Sequence, residues 1–230
     1  SWSPDGDQLL LWQRGLGVRG DGLVFYSKSA RQARELTPQL KDFWRPQWHP
    51  SGRWVMSWGF DAESRPGYYR IDPASGRAER VLTPEQAETN FEGAWSSDGK
   101  TFYNRFGDWE RGLFRLNMET GERTILFVPP KGSKMGRENL ALSPDERLLA
   151  FHLGSYPSPD MSSLMVVPTA GGEARAVYSI KAPQQFTFGA FTWSLDMKYI
   201  YALFGAEQKD IWRIPVEGGE PMKIGLGRPG

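Results

Sequence analysis

Short apolar runs alternate with turn-forming residues along the whole chain. A turn segment led by a large apolar residue occurs five times, at 2–6, 48–52, 95–99, 142–146 and 193–197. Its leading residues are separated by 46, 47, 47 and 51 positions. The Pro, Asp and Gly residues in these segments favour tight turns, because Pro presets φ, Asp accepts backbone hydrogen bonds and Gly tolerates positive φ. The regular spacing predicts a structural repeat.

Strand-like runs follow each turn segment. The first run, at 9–12 or 199–203 for example, is too short and too rich in aromatic or aliphatic residues for a helix. Two more runs, such as 68–71 and 80–83, predict a third and a fourth strand. Together with the strand that ends in the leading residue, they make four strands per unit. The predicted repeats cover approximately 1–37, 38–83, 84–128, 129–178 and 179–230.

Units of four antiparallel strands are typical of β-propeller blades. A lone sheet cannot cover both of its faces, so radial stacking of blades would bury the aromatic side chains, with solenoid stacking as the alternative geometry. We therefore predict an all-β fold, a β-propeller of four-stranded antiparallel blades with five repeats. The following leading residues are expected to be wedges between neighbouring blades: Trp2, Trp48, Trp95, Leu142 and Trp193.

Two departures from the pattern modify this prediction. Glu146 and Met197 end the fourth and fifth turn segments where Gly ends the others. A residue other than Gly at positive φ costs about 1–2 kcal/mol, so we expect a changed turn type there.

The chain also starts one residue before Trp2 and stops at Gly230, soon after a predicted fourth strand. This favours a fragment of a larger propeller, with five closed blades as the alternative.

Composition excludes several kinds of chemistry. The chain has 28 basic and 27 acidic residues, so no strong field favours nucleic acid or an anionic membrane. Zero cysteines exclude thiolate sites and disulfides, and no apolar stretch is long enough for a membrane-spanning helix. We predict no cofactor, no metal site and no catalytic constellation. His49 and His152 have structural roles in this interpretation, and Asp5, Asp98, Asp145 and Asp196 cap their own turns.

The repeat resembles the TolB-type, WD-like repeat of bacterial β-propellers. The resemblance rests on the Trp-Ser-Pro-Asp-Gly segment at 2–6, the Thr-Gly and Gly-Gly turns, and the closing Leu-Thr pairs at 36–37 and 82–83. It implies a propeller fold and a periplasmic or extracytoplasmic location. Propellers of this kind serve as periplasmic partners of lipoprotein complexes, as gating domains of prolyl-oligopeptidase-type peptidases, or as sensor domains of bacterial kinases or transcription regulators. The resemblance does not choose among these roles.

A partner surface is predicted on the loops that join the fourth strand to the next blade and the second strand to the third. These loops are rich in Arg and aromatic residues, the types enriched at binding hot spots. The predicted binding residues are Trp44, Arg45, Arg65, Trp109, Arg111 and Arg137. In the alternative interpretation, Trp44 only seals a blade junction. We expect a non-catalytic scaffold for a protein or peptide partner, with oligomers through open edge strands if blades are missing.

Overall fold

Short antiparallel strands make up most of the chain. The computed structural model describes residues 1–15, 21–87, 93–107, 110–136, 140–155, 160–205 and 210–224. Within these ranges the strands form five sheets in chain order, with one short helix, α1 (Pro84–Ala87). The all-β, bladed architecture predicted from the repeat is confirmed.

Each sheet takes its strands from consecutive parts of the chain. The first sheet contains β1 (Gln8–Gln13), β2 (Gly22–Ser27) and β3 (Gln32–Leu36). The second contains β4 (Asp42–Trp48), β5 (Val55–Phe60), β6 (Pro66–Ile71) and β7 (Ala78–Leu82). The third contains β8 (Ala94–Trp95), β9 (Thr101–Arg105), β10 (Leu113–Asn117) and β11 (Arg123–Phe127). The fourth contains β12 (Ser133–Met135), β13 (Ala141–Leu142), β14 (Leu148–Ser155), β15 (Met161–Pro168) and β16 (Arg175–Lys181). The fifth contains β17 (Gln185–Trp193), β18 (Tyr199–Gly205), β19 (Asp210–Pro215) and β20 (Met222–Ile224).

The chain divides into two compact units. The first holds residues 1–91 and 95–101, which include the first two sheets and the turn between β8 and β9. The second holds residues 92–94 and 102–230, and therefore the fourth and fifth sheets with most of the third. In the first sheet, Trp2 forms an isolated antiparallel bridge to Leu9, so its innermost strand is reduced to one residue.

Neighbouring sheets of a unit pack face to face because apolar residues alternate with the pleat. In the first unit, Leu10, Leu23 and Phe25 of the first sheet form one buried cluster with the second sheet. The second sheet contributes Phe43, Val55 and Ile71. We call the side of a sheet that packs on the preceding sheet its backward face, and the opposite side its forward face.

The same packing occurs twice in the second unit. One cluster joins the third sheet to the fourth, where Leu149 and Val167 lie on the backward face. Another joins the fourth sheet to the fifth, where Ile200 and Ile214 occupy the corresponding positions. All four side chains have 0% exposure, as do Val55 and Ile71 in the second sheet. Burial of the backward face is therefore the common feature of these three sheets.

Three of the predicted wedges contact the preceding sheet. The Trp48 ring meets Phe25 edge-on at 5.6 Å, and Trp95 lies 5.5 Å from the His49 ring. The Trp193 indole N–H donates to the Ala141 carbonyl at 2.9 Å. Trp2 differs, because it is 52% exposed, and the wedge prediction is wrong for this residue.

Arginine side chains add a second link between neighbouring sheets. Each guanidinium donates to a backbone carbonyl in the turn between the third and fourth strands of the next sheet. The pairs are Arg34 to Pro73 at 2.6 Å, Arg115 to Thr169 at 3.1 Å, and Arg175 to Val216 at 2.7 Å. Thr169 and Val216 directly follow β15 and β19, and Pro73 is the second residue after β6, so the acceptors lie at nearly the same place in the repeat. The donors differ, because Arg115 lies in β10, whereas Arg34 and Arg175 lie in β3 and β16, the last strands of their sheets.

A serine–aspartate pair holds the turn before the second strand. The hydroxyls of Ser96, Ser143 and Ser194 each donate to the aspartate two residues later at 2.6 Å, and Ser3 does so at 2.5 Å. The same carboxylates accept a backbone N–H two residues further on. These hydrogen bonds, the hydroxyl first, lower the pKa of each carboxyl group. The predicted turn-capping role of the aspartates is confirmed.

His49 replaces the serine in the second repeat. Its Nδ1 accepts the Ser51 N–H at 3.1 Å and lies 2.7 Å from the Ser51 hydroxyl. The ring also fits against Gly99, where an added Cβ would lie 2.7 Å from the imidazole Cε1. Burial lowers the pKa of His49, because an enclosed imidazolium loses hydration.

The expected change of turn type at Glu146 and Met197 is wrong. Both residues adopt a φ of 60°, close to the 72° of Gly6 and Gly99. Their N–H groups donate to the Ser143 and Ser194 carbonyls, as the Gly6 and Gly99 N–H groups donate to the turn serines. The surrounding serine–aspartate hydrogen bonds impose the left-handed conformation whether or not the residue is Gly.

Replacing Met197 with Gly should stabilise the protein by about 1 kcal/mol. Relief of left-handed strain, about 1–2 kcal/mol, exceeds the entropic cost of Gly, about 0.5–1 kcal/mol. Urea unfolding measures the difference. Leu195→Gly is the matched control in the same turn, because Leu195 is 93% exposed and lacks positive φ. Equal destabilisation by both substitutions would contradict the strain argument.

Replacing Trp193 with Ala should lower the free energy of unfolding by about 3–5 kcal/mol, because the indole is only 7% exposed between two sheets. Trp2→Ala should cost less than about 1 kcal/mol, since its indole is half-exposed. Chemical denaturation of both variants at low protein concentration makes the comparison. Similar losses would mean that Trp2 is a wedge after all.

Mild acid should destabilise the protein through His49. Its pKa is lowered in the folded state, so below the ordinary value of 6.5 the unfolded chain binds the proton more readily. The free energy of unfolding should therefore fall between about pH 7 and about pH 5. His49→Ser, which restores the serine of the other turns, should flatten this decline in urea titrations. An unchanged slope would show that His49 does not cause it.

Candidate functional site

The structure describes four of the six predicted binding residues. Trp44 and Arg45 lie in β4, the innermost strand of the second sheet. Their predicted place in a loop before this strand is wrong, because the strand already begins at Asp42. Arg65 lies in the loop between β5 and β6, and Arg111 lies two residues before β10 in the second unit. Trp109 and Arg137 lie outside the described residues.

A β-bulge shapes the backbone at Trp44 and Arg45. The register between β4 and β5 shifts between Trp44 and Gln47, and Arg45 adopts a φ of 52°. The hydroxyl of Ser57, which is fully buried, donates to the Trp44 carbonyl at 2.7 Å. The bulge therefore has a dedicated hydrogen bond from the next strand, while the Arg45 side chain is exposed.

Aromatic side chains support Trp44 on one face of the second sheet. Trp44 pairs with Trp58, which pairs with Tyr68 on the next strand. The Trp44 ring meets Phe60 edge-on at 5.7 Å, and Trp58 meets Tyr68 edge-on at 5.4 Å. Trp44 is half-buried, so it combines packing in the sheet with an accessible surface.

Arg65 is held by carboxylates of its own loop. Its guanidinium contacts Asp61 at 2.7 Å and Glu63 at 3.1 Å, and its carbonyl accepts the Tyr69 hydroxyl at 2.7 Å. The Asp61 contact raises the pKa of Arg65. Burial alone would raise the pKa of Asp61, yet the hydrogen bonds from Arg65 outweigh it and lower that pKa.

The Arg65 loop borders an open concavity of about 500 Å³. Tyr69 and Arg80 also line it, together with Glu63 and Glu79. Charges of both signs therefore surround this space. Tyr69 and Tyr68 are consecutive residues of β6, so their side chains lie on opposite faces of the sheet. Arg65 is thus grouped with the Tyr69 face and Trp44 with the Tyr68 face, and the structure does not bring these two predicted residues together.

The Arg111 side chain packs on a different pair of aromatic rings. Its guanidinium lies 4.4 Å from the centre of the Phe106 ring, which itself packs 4.9 Å from Phe114. Such cation–π contacts orient an exposed guanidinium. Arg111 remains exposed in this arrangement.

Sequence reasoning missed several members of these clusters. Asp61 and Tyr69 fix the Arg65 loop, and the four-residue spacing between Asp61 and Arg65 is the signal that could have shown the ion pair. Ser57 supports the bulge, but an isolated serine within an apolar strand carries no recognisable signal. The fully buried Arg105, at the end of β9, was also overlooked.

The two histidines have separate surroundings. His49 belongs to its turn, whereas the His152 Nε2 contacts the Ser162 hydroxyl and its ring lies 5.5 Å from Phe186. Among the described residues, three or more potential metal ligands never gather in one group. Over the same part of the chain, no helix has the length and apolar character needed to cross a membrane.

Comparison with known proteins gives a weak sequence relationship. No family model matches the chain. The cytolysin of Vibrio vulnificus (strain CMCP6) is 30% identical over 95 residues, which covers 39% of this chain and 19% of the cytolysin. The chain therefore spans about a fifth of the length of this curated relative.

Similarity to solved structures extends over nearly the whole chain. TolB from Acinetobacter baumannii matches with a TM-score of 0.64 at 15% identity, over 95% of this chain and 52% of its own. The putative TolB from Agrobacterium tumefaciens matches with a TM-score of 0.68 at 16% identity, over 96% and 78%. A puromycin-hydrolyzing peptidase of Mycobacterium tuberculosis matches with a TM-score of 0.67 at 13% identity, over 100% and 37%. This chain thus has the β-propeller fold of TolB-type proteins.

Proposed function

We propose that this chain is a non-catalytic β-propeller scaffold that binds a protein or peptide partner through its loop face, with Trp44 and Arg45 at the centre of the contact. The observation that carries the proposal is the bulge in β4. It keeps Arg45 exposed at a φ of 52°. Strained backbone of this kind persists only where its surroundings impose it, and it is concentrated at functional sites.

The chemistry of the two residues suits recognition. Trp and Arg dominate binding hot spots, because each offers a large contact area together with hydrogen-bond donors. The edge-on contact with Phe60 limits the freedom of Trp44 before binding. A side chain that is already ordered loses less entropy on association. Arg65 is proposed as a separate contact point, on the side of the second sheet opposite Trp44. Trp109, Arg111 and Arg137 are proposed as further contact residues.

A gating domain of a peptidase is the second candidate. The similarity to the puromycin-hydrolyzing peptidase supports it, since this chain corresponds to 37% of that protein. A gating propeller would use the same loops to admit or exclude peptides. An attached hydrolase segment in the complete reading frame would favour this candidate over the scaffold.

Arg45→Gly is the sharpest test of the binding surface. Gly accepts positive φ, so the substitution removes the side chain while preserving the bulge and should not destabilise the fold. Arg31→Gly is the matched control, because Arg31 is also exposed and has the same φ of 52°, but lies in the turn between β2 and β3.

The measurement is affinity capture from cell extract, followed by titration of the purified partner against the three proteins. We expect Arg45→Gly to weaken binding by about tenfold or more and Arg31→Gly to leave it unchanged. Equal binding by wild type and Arg45→Gly would remove Arg45 from the contact. Equal weakening by both variants would point to general loss of positive charge instead of this site.

A further inference from the structure

The open concavity beside the Arg65 loop combines apolar and charged lining. Its volume of about 500 Å³ is typical of sites that hold small ligands or single side chains. The lining includes Tyr69, which is only 2% exposed, and the methyl groups of Ala62 and Ala78. All lining residues lie between positions 39 and 80, so the concavity belongs entirely to the first unit.

Arg80 lies flat on the second sheet because Gly67 has no side chain. Arg80 pairs with Tyr69 across β6 and β7. An added Cβ at Gly67 would lie 2.7 Å from the Arg80 Cδ and 3.0 Å from its Cγ. The Arg80 Nη1 donates to the Pro66 carbonyl at 3.4 Å. The guanidinium is thereby placed next to the Arg65 loop, at the rim of the concavity.

Ion pairs neutralise every other charge in this lining. The two acidic residues of the loop are held by Arg65, and Glu79 accepts hydrogen bonds from Arg70 at 2.7 Å and 3.2 Å. No carboxylate in the described ranges lies within ion-pair distance of Arg80. The pKa of Glu85 is lowered mainly by a side-chain hydrogen bond at the start of α1 and least by the charge of Arg80.

This distribution of charge favours one class of ligand. The lining carries a single positive charge without a carboxylate partner, so a monoanion matches it. A dianion would also be repelled by Asp61 and Glu63, which line the same space. The planar guanidinium of Arg80 can donate two parallel hydrogen bonds to a carboxylate. The exposed Gln39 amide offers a further donor in the same lining.

We infer that this concavity binds a carboxylate of a peptide, with Arg80 as the principal donor. The carboxylate belongs either to an aspartate or glutamate side chain or to the C-terminus of the peptide, since the two groups have the same chemistry. The inference deepens the proposed function and rests on it for the choice of a peptide as ligand, because Arg65 is proposed there as a contact point. It gives that contact point a ligand class.

Nuclear magnetic resonance titration of the isotope-labelled chain with three peptides tests the inference. The first is an acetylated and amidated alanine tripeptide with glutamate at its centre, and the second carries glutamine instead. The third is acetylated trialanine with a free C-terminal carboxylate. We expect saturable shifts of the Arg80 Nε–H and Tyr69 amide signals. One or both carboxylate peptides should bind about tenfold or more tightly than the glutamine peptide, and the tighter of the two identifies the source of the carboxylate.

Substitutions of Arg80 separate its charge from its geometry. Arg80→Gln should weaken binding of the preferred carboxylate peptide by about tenfold, to the level of the glutamine peptide. Arg80→Lys should recover only part of this loss, because an ammonium group cannot donate two parallel hydrogen bonds. Arg77→Gln is the matched control. It removes the same charge from an exposed position of the same hairpin, and Arg77 does not line the concavity.

Three results would overturn the inference. They are equal affinity for all three peptides, unchanged binding by Arg80→Gln, and tighter binding of inorganic phosphate than of either carboxylate peptide. The Arg45→Gly protein keeps this concavity and should bind the peptides as the wild type does. Partner binding that depends on Arg45, together with no preference for the carboxylate peptides, would therefore reject this inference and leave the proposed function intact.

Discussion

Packing between sheets is the constraint on which the rest of this structure depends. Each sheet alternates apolar side chains between two faces, and a single sheet of three to five strands cannot shield both. The backward faces of the second, fourth and fifth sheets meet this constraint with fully buried aliphatic residues such as Val55, Leu149 and Ile200. The turns, the indole wedges and the arginine links all serve to bring one sheet onto the next.

Much of the fold could be predicted from the sequence because its signals are local. Turn residues at a regular spacing, followed by short apolar runs, predict the three outer strands of every repeat. They do not predict that the innermost strand of the first sheet is a single bridge residue, or that β12 and β13 divide this strand in the fourth sheet. The errors arise where an effect is not local. Met197 keeps the left-handed turn because the Ser194–Asp196 hydrogen bond imposes it. Trp2 is exposed and Trp95 is buried, although the turn segments that they lead differ at one position only. Residue type predicts a tendency, whereas the neighbouring sheet decides burial.

The candidate site was less predictable, since it depends on register. Trp44 and Arg65 both belong to the second sheet or its loops, and both are residue types typical of binding sites. The alternation of side chains along the strands nevertheless groups them with different faces of the sheet. The bulge at Arg45 depends on the hydroxyl of Ser57, which donates to the carbonyl of Trp44, thirteen residues earlier in the sequence. Neither feature leaves a pattern in the spacing of hydrophobic residues. The solved structures that resemble this chain at 13–16% identity share its architecture, and fold alone does not specify a binding site.

The arginine links have an evolutionary consequence. Their acceptors are main-chain carbonyls, and the three acceptor residues, Pro73, Thr169 and Val216, share no side-chain chemistry. A turn that contributes only its backbone tolerates almost any substitution that preserves its path. Duplicated units can therefore diverge freely in these turns while adjacent sheets stay in alignment. This tolerance helps to explain how the repeats of this chain keep the same packing between sheets while their turn sequences differ.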